Sequence, residues 1–404
     1  MLTSMKEQYH KLTLNPPNWI YYPEMWNNPK FEELLDFYND SALDFIKDYY
    51  ACGGKIDAWY KTDIEHEIKM TPYRASHTIS AYLLGIVLKK KLNLSMDNLP
   101  KLHNDCERNF LYFWYLACLY HDIAHGIEKY SQKLCPYKTL DKFNQHFDIN
   151  KYNFLKETKE SKFYKDYYQY RLEEWKCIDH GIAGALLFYD GLVRLYHTGR
   201  IMEHKKVNES FTHQGLYYSE EHLDFCLKVA ETIASHNLWR AELSNIEECK
   251  KYEKYGLEKL IPKKSPSDDH IVYCEDDAFL FLLGMVDTME PLKYFANNNV
   301  KNRNQIPPVL DDFLDSNDSL NRIADKNIEN NPYEILNNVH LAFSDNAMVL
   351  KCQLKNYEEY YRNIKDMEKW LGVDVSNNHD NSLTIRIIHK DVISKNVLHC
   401  QWLQ

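Results

Sequence analysis

The sequence predicts a mainly α-helical protein, a helical bundle followed by a small C-terminal α+β unit of β-α-β type. Three observations carry this. Only 12 Gly and 13 Pro occur in 404 residues, roughly half of average usage, and so few chain breakers favour long helices over a turn-rich β-protein. Up to about residue 300 the apolar residues recur at helical spacing. Beyond about residue 330 the period changes to alternation.

Residues 1–60 read as packing helices, with Phe31, Leu34, Leu35 and Tyr38 on one face. Residues 61–300 read as the principal domain. Thr71-Pro72 marks a helix start, and the stripe His77, Ala81, Leu84, Gly85, Leu88 ends in Lys89, Lys90 and Lys91, cations suited to a helix C-terminus. Phe110 to Tyr120 is apolar on every side and runs straight into His121-Asp122-Ile123-Ala124-His125-Gly126. Such a segment belongs in the centre of the domain, and at eleven residues it is too short to span a bilayer. Asp179-His180-Gly181 opens a helix whose Ala183, Gly184 and Ala185 let another helix approach closely. A further helix carries Cys226, Val229, Ala230 and Ile233, which places His236 on its inward face. Ala278 to Val286 is apolar throughout and ends at Asp287.

Two polar stretches, 129–172 and 240–272, read as excursions from this domain that cover the pocket and set its specificity. The first is rich in tyrosine (YKDYYQYR at 164–171). Residues 301–330 are rich in Asn, Asp and Ser and read as a linker. In 331–404, Met348, Leu350, Cys352 and Leu354 alternate, as do Leu383, Ile385 and Ile387. Between them Tyr357, Tyr360, Tyr361, Ile364, Met367 and Leu371 follow a helical period.

Composition narrows the function class. The net charge of −10 disfavours a protein that wraps a nucleic-acid backbone. A small anion is compatible with that charge where bound metal supplies local positive potential. The ten Cys form no CxxC pair, the N-terminus lacks an apolar signal core, and no membrane helix is predicted, so the expected compartment is the cytoplasm. The partner expected is a small-molecule nucleotide, with no long nucleic acid and no membrane; a homo-oligomer is compatible with the sequence.

The 18 His are where a metal is sought. An adjacent His-Asp pair carries little information by itself, and a second one, His379-Asp380 in the turn-like NNHDNS, is read as noise. His121-Asp122 differs because it follows eleven apolar residues. A carboxylate buried there costs several kcal/mol unless a metal or a partner satisfies it. His77, His180, His236 and Asp287 occupy comparable positions. A lone His on an apolar helix face is more often a hydrogen-bonded core residue than a ligand. The order His, His-Asp, His, His, Asp on five helices is what favours a metal site. Imidazoles and carboxylates without Cys suit Mn, Fe, Co, Ni, Mg or Zn and argue against a structural zinc site.

At these residues the chain resembles the HD-domain metal-dependent phosphohydrolases, over about residues 60–300. The resemblance rests on Tyr73-Arg74-Ala75-Ser76-His77-Thr78, LACLYHDIAHG, DHGIAGALL, IASHNLW and FLLGMVDTMEP. It implies an HD-type helical bundle and two divalent metal ions as cofactors. His77, His121, Asp122 and Asp287 would hold one ion, and Asp122 would bridge to a second held by His180 and His236. The Arg-x-x-His before the pair and the histidine three residues after it look like the nucleotide-acting branches. By that likeness Arg74 contacts phosphate and His125, taken as one helical turn from His121, acts as proton donor or electrostatic aid. Lys293 and Arg240 are weaker phosphate-binding candidates, chosen by their nearness in sequence to Asp287 and His236.

The expected activity is hydrolysis of a nucleotide phosphoester or phosphoanhydride by metal-activated water, with His125, Asp122 and Arg74 as catalytic residues. Ile127-Glu128-Lys129-Tyr130 departs from the Pro-Phe-x-His continuation of the triphosphohydrolases, and no Gly-Tyr-Pro version is present. The alternatives are a diiron oxygenase of the same fold and a nucleotide-sensing domain without turnover.

Overall fold

The computed structural model describes residues 1–15, 18–19, 72–102, 106–125, 127–128, 139–149, 151–206, 209–213, 216–262, 271–295, 332–355, 357–378 and 380–390. The segments read as the later N-terminal packing helices and as the linker 301–330 lie outside the described residues, as does His379.

The chain opens with a two-residue strand, β1 (Thr3–Ser4), and α1 (Met5–Thr13), whose first turn is capped by Ser4 Oγ accepting from the Glu7 amide at 3.2 Å. Helix α2 (Pro72–Lys91) begins at the predicted proline. Helix α3 (Cys106–Tyr120) is the central rod, buried without interruption from Asn109 to Tyr120. The two helices meet where Gly85 leaves room for Trp114. A Cβ on Gly85 would lie 2.0 Å from Trp114 Cζ2, and the indole N–H donates to the Tyr82 carbonyl at 2.9 Å.

Three short helices follow, α4 (Leu140–His146), α5 (Phe154–Glu157) and α6 (Ser161–Tyr170), the last running into a π-turn at Arg171–Trp175. Helix α7 (His180–Met202) is capped by Asp179, whose Oδ1 accepts from the Ile182 amide at 2.8 Å. A small hairpin, β2 (Phe211–His213) with β3 (Leu216–Tyr218), leads to α8 (His222–Ser235). Of the small residues expected to allow a close approach, Gly184 packs against Ile123 and Ile233, where a Cβ would lie 3.3 and 3.5 Å from their Cγ2 atoms, and Gly181 is closer still. A Cβ on Gly181 would lie 2.9 Å from the Ile233 carbonyl oxygen of α8, so glycine permits the approach that brings the start of one helix to the end of the other. Helices α9 (Ile246–Lys254), α10 (Ala278–Met289) and α11 (Leu292–Phe295) complete the bundle. Phe113 of α3 meets Phe225 of α8 edge-on at 4.4 Å and Phe279 of α10 at 6.0 Å, which joins the three helices in one aromatic core.

The C-terminal unit differs from the predicted β-α-β. Helix α12 (Pro332–Asn338) leads into hairpin β4 (Val339–Ser344)–β5 (Ala347–Cys352). Helix α13 (Tyr357–Asp366) follows, then hairpin β6 (Val373–Asn377)–β7 (Ser382–Ile387). The sheet is antiparallel with order β1-β4-β5-β7-β6. The extra strands arise from tight turns that interrupt the alternation only briefly, as at Asn346, which takes φ +55°. Strand β1 is held by tertiary pairing, Thr3 opposite Leu341. The buried face presents Val339, Leu341, Met348, Leu350, Leu383 and Ile385 to Tyr360 and Ile364 of α13 and to Ile335 and Leu336 of α12.

Among the described residues no helix is long and apolar enough to cross a membrane.

Candidate metal centre

The site forms where apolar helices end. Helix α3 carries its burial to Tyr120, so His121 and Asp122 enter the interior, at 0% and 6% exposure. Helix α2 brings His77 beside them, α10 brings Asp287, the first turn of α7 brings His180, and the C-cap of α8 brings His236.

Two groups result, and Asp122 belongs to both. His77 Nε2 lies 3.2 Å from His121 Nε2, 3.6 Å from Asp122 Oδ2 and 3.5 Å from Asp287 Oδ1. His121 Nε2 lies 3.7 Å from Asp122 Oδ2 and 3.6 Å from Asp287 Oδ1. On the other side of the carboxylate, Asp122 Oδ1 lies 3.7 Å from His180 Nε2, which is 3.3 Å from His236 Nε2. Donor atoms placed about 2.1 Å from a shared ion stand roughly 3.0–3.4 Å apart in octahedral or tetrahedral geometry. The observed separations, from 3.2 to 3.7 Å, begin within that range and run slightly beyond it.

The outer ring nitrogens decide what the inner ones can do. His121 Nδ1 donates to the Cys118 carbonyl at 2.8 Å and His236 Nδ1 to the Ile233 carbonyl at 2.6 Å. A carbonyl only accepts, so each Nδ1 carries the proton and each neutral ring offers an Nε2 lone pair inward. His77 Nδ1 faces Glu290 Oε2 at 2.6 Å, and His180 Nδ1 faces Glu128 Oε2 at 2.8 Å, both carboxylate acceptors. Four imidazole Nε2 atoms and two carboxylates therefore converge. Burial opposes charge on His77 and His180, but the surrounding carboxylates outweigh it and raise both rings, which favours a proton shared among these atoms where no cation is bound. Facing lone pairs about 3.2 Å apart repel unless a cation or a proton lies between them. This donor set fits divalent ions, and the two groups His77–His121–Asp122 and Asp122–His180–His236 are both compatible with one. A third grouping, Cys274, Glu275 and His389, lies at the surface, with His389 Nδ1 already on Glu275 Oε1 at 2.5 Å.

The local electrostatics follow from burial set against these partners. Burial opposes charge on Asp287, yet Lys293, with the His121 and His77 rings, holds its carboxyl well below the ordinary carboxylate range. Burial also opposes charge on Glu128, but His180 and Arg171 outweigh it and hold that carboxyl at about 2. His236 is pushed down to about 3 by burial, reinforced by the neighbouring His180.

Glu128 and Glu290 are the functional residues that sequence reasoning misses. Glu290 is fully buried and is fixed in turn by the Leu292 and Lys293 amides, at 3.1 and 3.2 Å. Glu128 also takes the Arg171 guanidinium. Asn237 ties the cap of α7 to the site, its Nδ2 on Asp179 Oδ2 at 2.9 Å and near His180 Nδ1 at 3.2 Å.

The remaining candidates fall in different places. His125 does not lie one helical turn from His121. The backbone tightens after Tyr120, with the Ile123 amide on Tyr120 O and the His125 amide on Asp122 O, both at 3.0 Å. That turn carries the His125 ring to 5.4 Å from the His180 ring, onto the side of the second group. Lys293 reaches the centre, its Nζ 2.7 Å from Asp287 Oδ1. Arg240 does not line the cavity; its Nη1 donates to the Lys369 carbonyl at 2.6 Å. Arg74 lies in the first turn of α2, and its side chain is outside the described residues.

The clustered imidazoles and carboxylates open into a cavity of about 220 Å³ that Asp122, His125, His180, His236, Asp287 and Lys293 line at the inner end. The described part of the first excursion does not cover it. Tyr164 Oη bonds Ser235 Oγ at 2.9 Å and Tyr167 Oη donates to the Asn237 carbonyl at 3.2 Å, so α6 packs behind His236. The outer wall comes instead from the C-terminal unit, through Asn363, Asp366 and Trp370. No protein-family model, curated protein or solved structure matches the chain.

Proposed function

We propose that this protein is a metal-dependent phosphohydrolase of HD type that hydrolyses a phosphoester or phosphoanhydride bond of a nucleotide. The observation that carries the reading is the division of Asp122, with one oxygen toward the His77–His121 group and the other toward the His180–His236 group. A carboxylate shared in this way suits a dinuclear site. It also agrees with the resemblance of the chain's His…His-Asp…His…His…Asp order to that family.

His77, His121, Asp287 and Asp122 would hold one ion, and His180, His236 and Asp122 the other. Two divalent ions supply a water of lowered pKa and a charge that polarises phosphoryl oxygens. The protein's own groups do the rest. His125, beside His180 at the cavity wall, gives a proton to the departing oxygen. Lys293 balances the buried Asp287 and presents positive charge to an incoming phosphate. Arg74 is assigned phosphate contact on the strength of the Arg-x-x-His likeness. Glu128 and Glu290 orient His180 and His77 and keep their inner nitrogens available.

Metal analysis joined to a panel of nucleotides, cyclic nucleotides and dinucleoside polyphosphates with Mn, Co, Ni, Mg and Fe tests the reading. Two equivalents of metal and turnover of at least one nucleotide are expected, with Asp122→Ala losing both. Full metal content and full activity in Asp122→Ala would place the site elsewhere. Two equivalents of iron with substrate-dependent oxygen uptake and no hydrolysis would replace hydrolysis by oxygenation.

A further inference from the structure

The cavity has two chemically different ends. The inner end holds the imidazoles and carboxylates, with Lys293 as a cation beside them. The outer end is aromatic and uncharged except for one acid. Trp239 and Tyr294 stand on the bundle side, and Asn363, Asp366 and Trp370 on the side of the C-terminal unit. Asn363 and Asp366 stand at i and i+3 on one face of α13, and Trp370 follows the 3-10 turn Met367–Lys369 that ends the helix, while Tyr360, Ile364 and Met367 are buried in the core.

This wall is fixed to the metal-holding helices by backbone and side-chain bonds. The Val272 amide donates to the Trp370 carbonyl at 2.9 Å and the Gly372 amide to the Val272 carbonyl at 3.0 Å. Tyr360 Oη donates to the carbonyl of Met289, two residues past Asp287, at 2.6 Å. The Trp370 ring lies over Gly284, where a Cβ would come within 2.2 Å of Cη2. The face is thus in place before any ligand arrives.

Asp366 decides which part of a ligand belongs there. Its Oδ1 pairs with Lys369 Nζ at 3.1 Å, and Lys369 is shared with Glu242 at 2.9 Å. A carboxylate at the cavity rim accepts from hydroxyl and amino donors. Trp and Tyr faces offer stacking to a planar ring. At about 220 Å³ the space is small against the roughly 300–1,000 Å³ of a drug-sized site, which favours a single nucleoside over two.

Resting on the phosphohydrolase reading, we propose that Asn363, Asp366 and Trp370 form the nucleoside-recognition face of this site, so that a mononucleotide binds with its phosphate at the histidines and its base and sugar against the C-terminal unit. Asp366 and Asn363 hydrogen-bond the donors of the nucleoside, and Trp370 with Trp239 bounds the planar ring.

Calorimetric titration of the Mn-loaded full chain with the four nucleoside 5′-monophosphates, ribose 5-phosphate and inorganic phosphate tests this. At least one mononucleotide is expected to bind tenfold or more tighter than inorganic phosphate. Asp366→Asn and Asn363→Ala should each weaken that nucleotide about tenfold, with phosphate affinity and metal content held within twofold. Equal affinity for nucleotides and phosphate in the wild-type chain, or unchanged nucleotide affinity in both variants, overturns the proposal. Turnover by the wild-type chain across the panel of nucleotides, cyclic nucleotides and dinucleoside polyphosphates reports hydrolysis separately. Its absence beside Asp366-dependent nucleotide binding removes the hydrolytic reading and keeps the recognition face.

Discussion

Glu128 Oε2 lies 2.8 Å from His180 Nδ1, on the side of the ring turned away from Asp122. That contact holds the imidazole with Nε2 toward the site and raises its basicity as a donor. Glu128→Gln replaces a charged acceptor by a neutral amide that can also rotate to present N–H. Loss of such a partner costs about 10–100-fold in metal affinity. The loss should fall on the His180–His236 group, so titration of the apo-protein with Mn or Co should show one weakened equivalent beside one near wild type. Equal weakening of both equivalents would mean that Glu128 acts on the fold and not on one ligand.

If the proposed metals are bound, their removal should destabilise the whole chain, because the candidate ligands come from five helices and crowd imidazoles and carboxylates together. A ligand present at about 100 times its dissociation constant stabilises the native state by about 2.7 kcal/mol. Calorimetric unfolding should therefore show a midpoint several degrees lower in excess chelator, restored on addition of Mn. An unchanged midpoint would show that the cluster closes on itself without an ion.

Gly181→Ala separates helix geometry from ligand chemistry. The added Cβ would meet the Ile233 carbonyl oxygen at 2.9 Å, and backbone does not yield as a flexible side chain does. Helices α7 and α8 must then move apart, which lengthens the 3.3 Å His180–His236 separation while His77 and His121 keep theirs. Overpacking of this kind costs about 1–3 kcal/mol. The expected result is a folded protein that keeps one metal equivalent and loses or weakens the other, measured by metal analysis after gel filtration. Retention of two tight equivalents would show that the helices can absorb a methyl group without disturbing the site.

The buried His/Asp cluster could be read in the sequence because most of its members end or interrupt an apolar run, where a charge or an imidazole is costly without a partner. His121 and Asp122 follow Phe110–Tyr120, Asp287 ends Ala278–Val286, and His236 follows Ile233. Glu128 and Glu290 gave no such signal. Glu128 follows LACLYHDIAHG by two residues and Glu290 stands next to last in FLLGMVDTMEP, and neither interrupts an apolar run, although Glu290 is fully buried. A clue was available in Met289-Glu290-Pro291, an acid held between an apolar helix and a proline. The bundle was legible from periodicity. The five-stranded sheet was not, since β1 exists only through its pairing with β4, and no local pattern in Thr3–Ser4 announces a strand. The outer wall of the site was likewise hidden, because Asn363, Asp366 and Trp370 reach it by tertiary docking across more than seventy residues of chain from Asp287.

That docking is itself open to test at Gly284, on the buried helix α10 that also carries Asp287. Trp370 Cη2 would lie 2.2 Å and Cζ3 2.6 Å from a Cβ added there. Gly284→Ala must push the indole off α10, and the Val272–Trp370 and Gly372–Val272 backbone bonds, at 2.9 and 3.0 Å, go with it. Destabilisation of about 1–3 kcal/mol is expected from overpacking. The effect should be local, because Trp370 packs on α10 at Gly284, while His77, His121, His180 and His236 come from other elements. Hydrogen exchange should therefore quicken in β6, β7 and the 271–273 segment while α3 and α8 keep their protection, and metal content should stay at the wild-type level. Loss of metal in step with the loosened sheet would show instead that the C-terminal unit braces the metal centre itself.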